Sequence, residues 1–462
     1  MALLGLLVWC QACRKQFLDA KPSTTILVPT TLTDFQALLD NTGVFGQVPT
    51  LGEASADNYW FPATTWASLD TREHNAYIWA PDIFDGQPGQ LDWNTPYQQV
   101  FYANVVLDGL SNIKNNPDSV VQWNALEGSA HFLRAFAYYN LAQVFAPPYD
   151  SVTADITMGL PLRWHAEVIP LSARSSLSTT YGQMLHDLDS AEMYLQGTGL
   201  TNYRNRPNLL AVQALRARVY LSMRNYPMAR SEADKVLRAY PVLIDYNTLD
   251  PTKGSPFNML NAEALYQASF LGQGVQQGMT YLSVLLGGFS INTRIDSELI
   301  RSYDSNDLRR VIYYHYKTDT TSYLKGSYAG NNFPFGGLAT DELYLIRAEG
   351  AARAGDMVDA MNDINTLLAS RWTTGSFIPY VVGSAAEALD RVLVERRKEL
   401  AFRGLRWTDL RRLNLEGYNI TLTRNGLDKP YVLLPISELY TLPIPPDVIS
   451  LNPQIKQNPG HN

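Results

Sequence analysis

In TLTDFQALLDNTG, residues 31–43, apolar positions recur at Phe35, Leu38 and Leu39, which is one face of a short helix. Thr31 followed three residues later by Asp34 resembles a capping box, and Gly43 is placed to end the helix. From about Asn58 to Trp93 that period is lost. NYWFPATTW and HNAYIWAPDIFDGQPGQLDW are crowded with aromatics and turn formers, which predicts irregular chain. Helical patterns resume in PYQQVFYANVVLDGLSNI, from Pro96, and in ALEGSAHFLRAFAYYNLAQVF, from Ala125.

Further on, the pattern repeats itself. RARVYLSMRNYPMARSEADKVLRAYP carries Ala217, Tyr220, a turn at Asn225-Tyr226, Ala229, Leu237 and Pro241. RAEGAARAGDMVDAMNDINTLLASRW matches it, with Ala348 for Ala217, Ala360 for Ala229, Leu368 for Leu237 and Gly355 in the turn. This is the small/large pattern of a tetratricopeptide helix–turn–helix, whose alanines let two antiparallel helices approach closely. Pro227 suits the first turn of a second helix, where its missing N–H costs nothing. RAFAYYNLAQVF, from Arg134, matches a first helix of the same kind. YGQMLHDLDSAEMYL adds a helix with Leu185, Leu188 and Ala191 on one face. The units, near 125–146, 181–240 and 340–372, are not contiguous, whereas a plain solenoid keeps a period of about 34 residues. The predicted fold is therefore mainly α: a tetratricopeptide-like helical-repeat scaffold with few short strands. Long irregular insertions near 58–97 and 241–340 are expected on its other side.

Composition fits this picture and narrows the function. The chain has 462 residues, 46% of them apolar and 18% charged, enough for a substantial core. A net charge of -7 argues against nucleic acid as a partner, since phosphate binding needs clustered Lys and Arg. The opening MALLGLLVWCQAC is too short and apolar a stub to span a bilayer, but it has the make-up of a signal-peptide core. Ala12 before Cys13 supplies the small residue that cleavage needs, whereas Trp9 before Cys10 is too bulky. The expectation is a signal at 1–12, an acylated Cys13, a polar tether over 13–29 and one domain over 30–462.

Catalytic and metal motifs are missing. The six His are scattered, without HExxH, and neither GxSxG nor GxxxxGK[ST] occurs. GQGVQQG spaces its glycines as GxGxxxG, so it is no dinucleotide fingerprint. No cofactor and no metal are predicted. Asp82 and Asp85 in PDIFDG have the form of a hydrolytic carboxylate pair, although acids beside a turn usually cap it. ERRKELAFRGLRWTDLRRL is the densest charge cluster. With Val392, Leu393, Arg396, Leu400 and Trp407 at helical spacing, it reads as a salt-bridged structural helix. Its Glu395, Arg396, Glu399 and Asp409 are expected to pair, with Trp407 packed inward.

That same segment, VERRKELAFRGLRWTDLRRLN, resembles the C-terminal signature of the SusD/RagB family of Bacteroidetes surface lipoproteins. CRKQFLDAKP, GSAHFLRAFAYYNLAQVF with GLPL, LYLIRAEGAARAGD and LPIPPDVISLNPQIKQNPG agree with it in the family's order, from residue 13 to residue 460. The family's usual FEGHRW reads FRGLRW here, with Arg403 in place of an acid and Leu405 in place of a histidine. The resemblance implies a non-catalytic nutrient-binding protein at the cell surface, lipid-anchored to the outer membrane. It further implies that such a protein moves like a lid over a SusC-like TonB-dependent transporter. Glycan is the ligand class most often implied, and peptide is the alternative suggested by the RagB branch. A glycoside hydrolase or a bare helical-repeat adaptor is the rival from another class.

Sugar rings stack their C–H faces on aromatics, while Asn, Asp and Arg bind the hydroxyls. Composition therefore nominates Trp66, Tyr77, Trp79 and Trp93 in the first loop region, and Tyr281, Phe289, Asn292, Arg294 and Tyr323 in the second. For each, packing against the scaffold is the alternative use. The two loop regions are expected to meet in one shallow surface.

Overall fold

The computed structural model describes residues 29–113, 119–167, 172–270, 293–318, 321–325, 328–331 and 333–461. The N-terminal part carries helices α1 (Leu32–Leu39), α2 (Thr42–Phe45), α3 (Leu51–Ser55), α4 (Ala63–Trp66) and α5 (Thr71–Tyr77), with strands β1 (Gln47–Val48) and β2 (Tyr59–Trp60). Long helices follow: α6 (Leu91–Ser111), α7 (Val120–Phe145), α8 (Leu177–Tyr194), α9 (Leu209–Ser222) and α10 (Tyr226–Ala239). The middle is a strand-and-turn region with β3 (Ala264–Tyr266), β4 (Ser269–Phe270), β5 (Arg294–Ile295), α11 (Ser297–Arg301), α12 (Arg309–Ile312), β6 (Tyr314–His315), β7 (Tyr323–Leu324) and β8 (Leu338–Ala339). Helices α13 (Thr340–Arg353), α14 (Met357–Ala369), α15 (Ala385–Glu399) and α16 (Arg406–Asn414), strands β9 (Leu422–Arg424) and β10 (Tyr431–Leu433), and α17 (Pro446–Leu451) complete it.

The scaffold is a row of packed helices. Helix α7 is apolar on nearly every side, so it can only be stable when surrounded, and α6, α8 and α1 pack around it. The two matched repeats are α9–α10 and α13–α14, and α10 also packs on α13. Ala217, Ala229, Ala348 and Ala360 are all fully buried, as close helix approach requires. Gly350 marks the tightest point: a Cβ there would lie 2.6 Å from the Arg230 Cβ. Both turns use the same device. A residue with positive φ (Arg224 at 60°, Gly355 at 82°) is followed by a side-chain N-cap, Asn225 onto Met228 N–H and Asp356 onto Asp359 N–H.

The capping box forms as expected, with Thr31 accepting from Asp34 N–H. The helix ends earlier than Gly43, at Leu39 with Asp40 as its cap, because a second short helix begins at Thr42. The stretch 58–97 is also more helical than its texture suggests. Helices α4 and α5 are too short to show a period, and α6 starts at Leu91 rather than Pro96. Pro96 thus sits inside α6, leaving the Asp92 carbonyl without its usual donor. The buried Asp92 carboxylate accepts from Thr50 N–H and Leu51 N–H, capping the start of α3.

The signature segment is a buried ion-pair spine. Arg309 reaches Asp307 (2.7 Å), Glu395 (2.6 Å) and Glu399 (3.0 Å), and Arg371 joins Glu399 (2.7 Å) to Glu263 (2.9 Å). Arg396 and Arg412 share Asp409, and Arg412 continues to Glu349 (2.6 Å). Trp407 is 1% exposed and packs on Tyr440 at 4.9 Å. Arg403 finds a new partner in Asp341 (2.7 Å) and lies over the rings of Tyr328 and Phe335. The charge is satisfied both within the helices, as in Arg412–Asp409 and Lys398–Glu395, and across elements, as in Arg309–Glu395 and Arg412–Glu349.

Candidate functional site

Two strand pairs make a small layer beside the helices. In the antiparallel pair β2–β5, Tyr59 opposes Ile295 and Trp60 opposes Arg294; in β6–β7, Tyr314 opposes Leu324 and His315 opposes Tyr323. Ile295 N–H donates to the Ser322 carbonyl at 3.0 Å, which joins the two pairs. Opposed residues share a face, and successive residues alternate between faces. Tyr59, Ile295, Tyr314 and Leu324 therefore point inward, into one aromatic-rich core. Trp60, Arg294, His315 and Tyr323 form the other face and are half-buried.

That outer face combines rings with cations. The Arg294 guanidinium carbon lies 4.5 Å from the centre of the Tyr323 ring, and the Lys317 ammonium approaches the same ring to 5.6 Å. Arg310 covers Tyr316 at 4.1 Å. Partial burial, followed by the charges of Lys317 and Lys325, holds the His315 imidazole below its ordinary pKa. The layer thus offers aromatic surface for stacking and N–H donors for hydroxyl or anionic groups.

Of the residues nominated from sequence, Arg294 and Tyr323 are brought into contact here. The first-region aromatics are placed differently, inside the protein. Trp66 stacks on His74 at 4.0 Å and donates Nε1–H to the His74 carbonyl. The Tyr77 hydroxyl accepts from Phe61 N–H at 3.1 Å, beneath the same layer. Trp79 donates Nε1–H to the Ser55 carbonyl at 2.9 Å. Trp93 packs on Phe145 at 5.1 Å, and also lines an apolar groove of about 240 Å³ with Tyr97, Phe101 and Leu451. In place of exposed platforms, Trp66 and Tyr77 join the core beneath the strands, and Trp79 and Trp93 join the core among the helices. Tyr281, Phe289, Asn292 and Cys13 lie outside the described residues.

Trp60 and His315 were not nominated. The signal for Trp60 was the inward-outward-inward order of Tyr59, Trp60 and Phe61, but a two-residue strand is too short for its alternation to stand out. Asp82 is a turn cap, accepting from Phe84 N–H and Asp85 N–H. A cleft of about 520 Å³ between α10, α13 and α14 is larger, but its charges already face each other. Arg230 pairs with Asp356 and Asp359 there, and Arg347 with Asp234 and Asp363. Among the described residues, no group of three His, Cys, Asp or Glu is placed to hold a metal ion, and no helix is long and apolar enough to cross a membrane.

A family model described as "Starch-binding associating with outer membrane" matches residues 16–221, and one described as "SusD family" matches residues 301–461. The chain belongs to the SusD family. A relative in the family is the SusD-like protein P2 of Formosa agariphila, 24% identical over 433 residues and covering 80% of both chains. A putative sugar binding protein from Bacteroides vulgatus superposes with a TM-score of 0.72 at 20% identity, over 95% of this chain and 100% of the other. A SusD superfamily protein from Bacteroides thetaiotaomicron gives 0.73 at 22% identity, over 93% and 100%. At such identities the likeness speaks for the fold. The tetratricopeptide-like scaffold is the SusD architecture.

Proposed function

We propose that this SusD-family protein is a non-catalytic glycan receptor of the outer membrane. In this reading it is lipidated at Cys13 after loss of residues 1–12 and tethered through 13–29. It holds oligo- or polysaccharide for uptake by a SusC-like TonB-dependent transporter. The observation that carries the reading is the half-buried face of Trp60, Arg294, His315 and Tyr323, which joins stacking rings to hydrogen-bond donors. Family membership supports it, since the matching family model is described as starch-binding and associated with the outer membrane.

The test is isothermal titration against a polysaccharide panel, with Trp60→Ala and Tyr323→Ala beside the wild type. Loss of a stacking ring is expected to weaken binding at least tenfold, about 1.4 kcal/mol. Trp164→Ala, at a ring 51% exposed beside α8, serves as the control and should bind normally. Equal binding by all variants would remove the site. Binding of peptides and no glycan would move the protein to the RagB type. Cys13→Ala should abolish palmitate labelling and release the full-length chain from membranes. Retention of label would refute the anchor.

A further inference from the structure

Resting on the glycan reading above, we infer that the ligand is an acidic saccharide, one that carries carboxylate or sulfate groups, and that Arg294 and Lys317 select for it. Buried arginines in this protein are held by partners within the fold. Arg309, Arg371, Arg403 and Arg412 each hold one or more carboxylates at 2.6–3.0 Å. Arg411 and Arg424, also buried, donate instead to backbone carbonyls, Arg411 to Gln143 and Ala146 and Arg424 to Ala56, Tyr59 and Tyr77. A cation that leaves bulk water needs a partner of one kind or the other.

Arg294 breaks that habit. Its guanidinium lies on the Tyr323 ring, and among the described residues it forms no ion pair and its solvent-shielded Nη1 has no hydrogen-bond partner. Lys317, exposed and 5.6 Å from the same ring, also has no ion pair among the described residues. The neighbouring acids among the described residues are engaged elsewhere or turned away. Asp296 caps α11 through Leu299 N–H and faces Arg397, Asp250 accepts from Thr252, and Glu298 lies on the exposed side of α11. Lys325, behind the face, donates to the Pro251 and Val311 carbonyls and adds its charge without a carboxylate. Burial, followed by the charges of Lys317 and Lys325, holds the His315 imidazole below its ordinary pKa.

Among the described residues the face is therefore locally positive, on a chain whose net charge is -7. An acid-bearing sugar meets attraction here and repulsion elsewhere, which favours this one mode of approach. The chemistry fits at atomic scale as well. A guanidinium held flat on a ring is pre-organised to donate two parallel N–H bonds to a carboxylate or sulfate, while Trp60 and Tyr323 stack the sugar itself. A neutral glycan would leave those donors with hydroxyl acceptors only.

The experiment compares oligogalacturonate with its fully methyl-esterified form, which has the same sugar but no charge, and adds a sulfated galactan with its desulfated counterpart. At low salt, at least one acidic member should bind tenfold or more tightly than its neutral partner. The preference should shrink as sodium chloride is raised and disappear in Arg294→Gln. Lys317→Gln, at an exposed side chain, repeats the test without touching packing and should lower the preference severalfold. If neutral forms bind as tightly as acidic ones, or both variants keep the preference, the inference is overturned while the glycan reading stands. If no saccharide of either kind binds, both fall together.

Discussion

Arginine is used in two ways in this molecule, and the contrast separates its scaffold from its candidate binding face. In the spine beneath the signature segment, Arg309 is fully buried against three carboxylates, and the charges tie α12 to α15. On the strand layer, Arg294 is half-buried, rests on Tyr323 and has no ion pair among the described residues. The difference teaches where stability and recognition part. A buried cation must be partnered by the fold, through carboxylates as at Arg309 or backbone carbonyls as at Arg411 and Arg424, so it becomes part of the fold. A cation stacked on a ring at the surface is kept partly hydrated, so it remains free to answer a ligand.

The largest effect should come from breaking the spine. Arg309→Met strands Asp307, Glu395 and Glu399 without their shared cation, and urea denaturation should show a loss of about 3–5 kcal/mol. A loss under about 1 kcal/mol would mean that the spine is solvated and the contrast with Arg294 is false. Trp407→Ala is expected to be comparable, about 3–5 kcal/mol, because the indole is buried against Tyr440. Its saccharide affinity, measured below the melting range, should be unchanged. A stable variant that had lost only binding would move this segment from scaffold to site.

A pH series sharpens the comparison at the seam between the two regions. Glu53 on α3 accepts from Gly404 N–H, and burial pushes its carboxyl up to about 7. Between the usual carboxylate value and about 7, the folded protein holds a proton that the unfolded chain has released. Stability should therefore fall as pH rises across that window, by at most on the order of 3 kcal/mol, and level off above it. Glu263, also raised to about 7, adds a slope of the same sign. Glu53→Gln should flatten the curve measured from pH 4.5 to 8 relative to wild type. Parallel curves would show that Glu53 titrates normally.

Smaller again is the effect of overpacking the repeats. Ala217→Leu or Ala348→Leu should cost about 1–3 kcal/mol in thermal or urea melts, since neither alanine has solvent to expand into. Smallest is Arg294→Gln, whose stability should change by no more than about 0.5 kcal/mol. A large loss there would make Arg294 another scaffold arginine and end the distinction.

Much of the scaffold was legible in the chain itself. The alanine and leucine spacing of 216–241 and 347–372 encodes helix pairs, because close antiparallel packing demands small residues at fixed steps along each helix. The dense charge of 394–414 was legible as structural for a related reason. Acids and bases alternating with apolar positions at helical spacing can pair without help from a ligand. The length of α6 was less so: Pro96 looked like a start and proved to lie inside the helix, which begins at Leu91 and carries Asp92, whose carboxylate caps α3.

By itself, then, the order of residues determined the mainly helical repeat scaffold, the signature spine and the likeness to the SusD family. Those features rest on local periodicity or on motifs that read continuously along the chain. Only the tertiary structure decided which aromatics face outward. Trp66, Tyr77, Trp79 and Trp93 are drawn inside by carbonyl, amide and ring partners up to 52 positions away, whereas Trp60 is turned out by pairing with Arg294. Strands of two residues carry no detectable period, so their inner and outer faces are set by the partner across the ladder. That partner is distant in sequence, and pairing with it comes only with the folded chain.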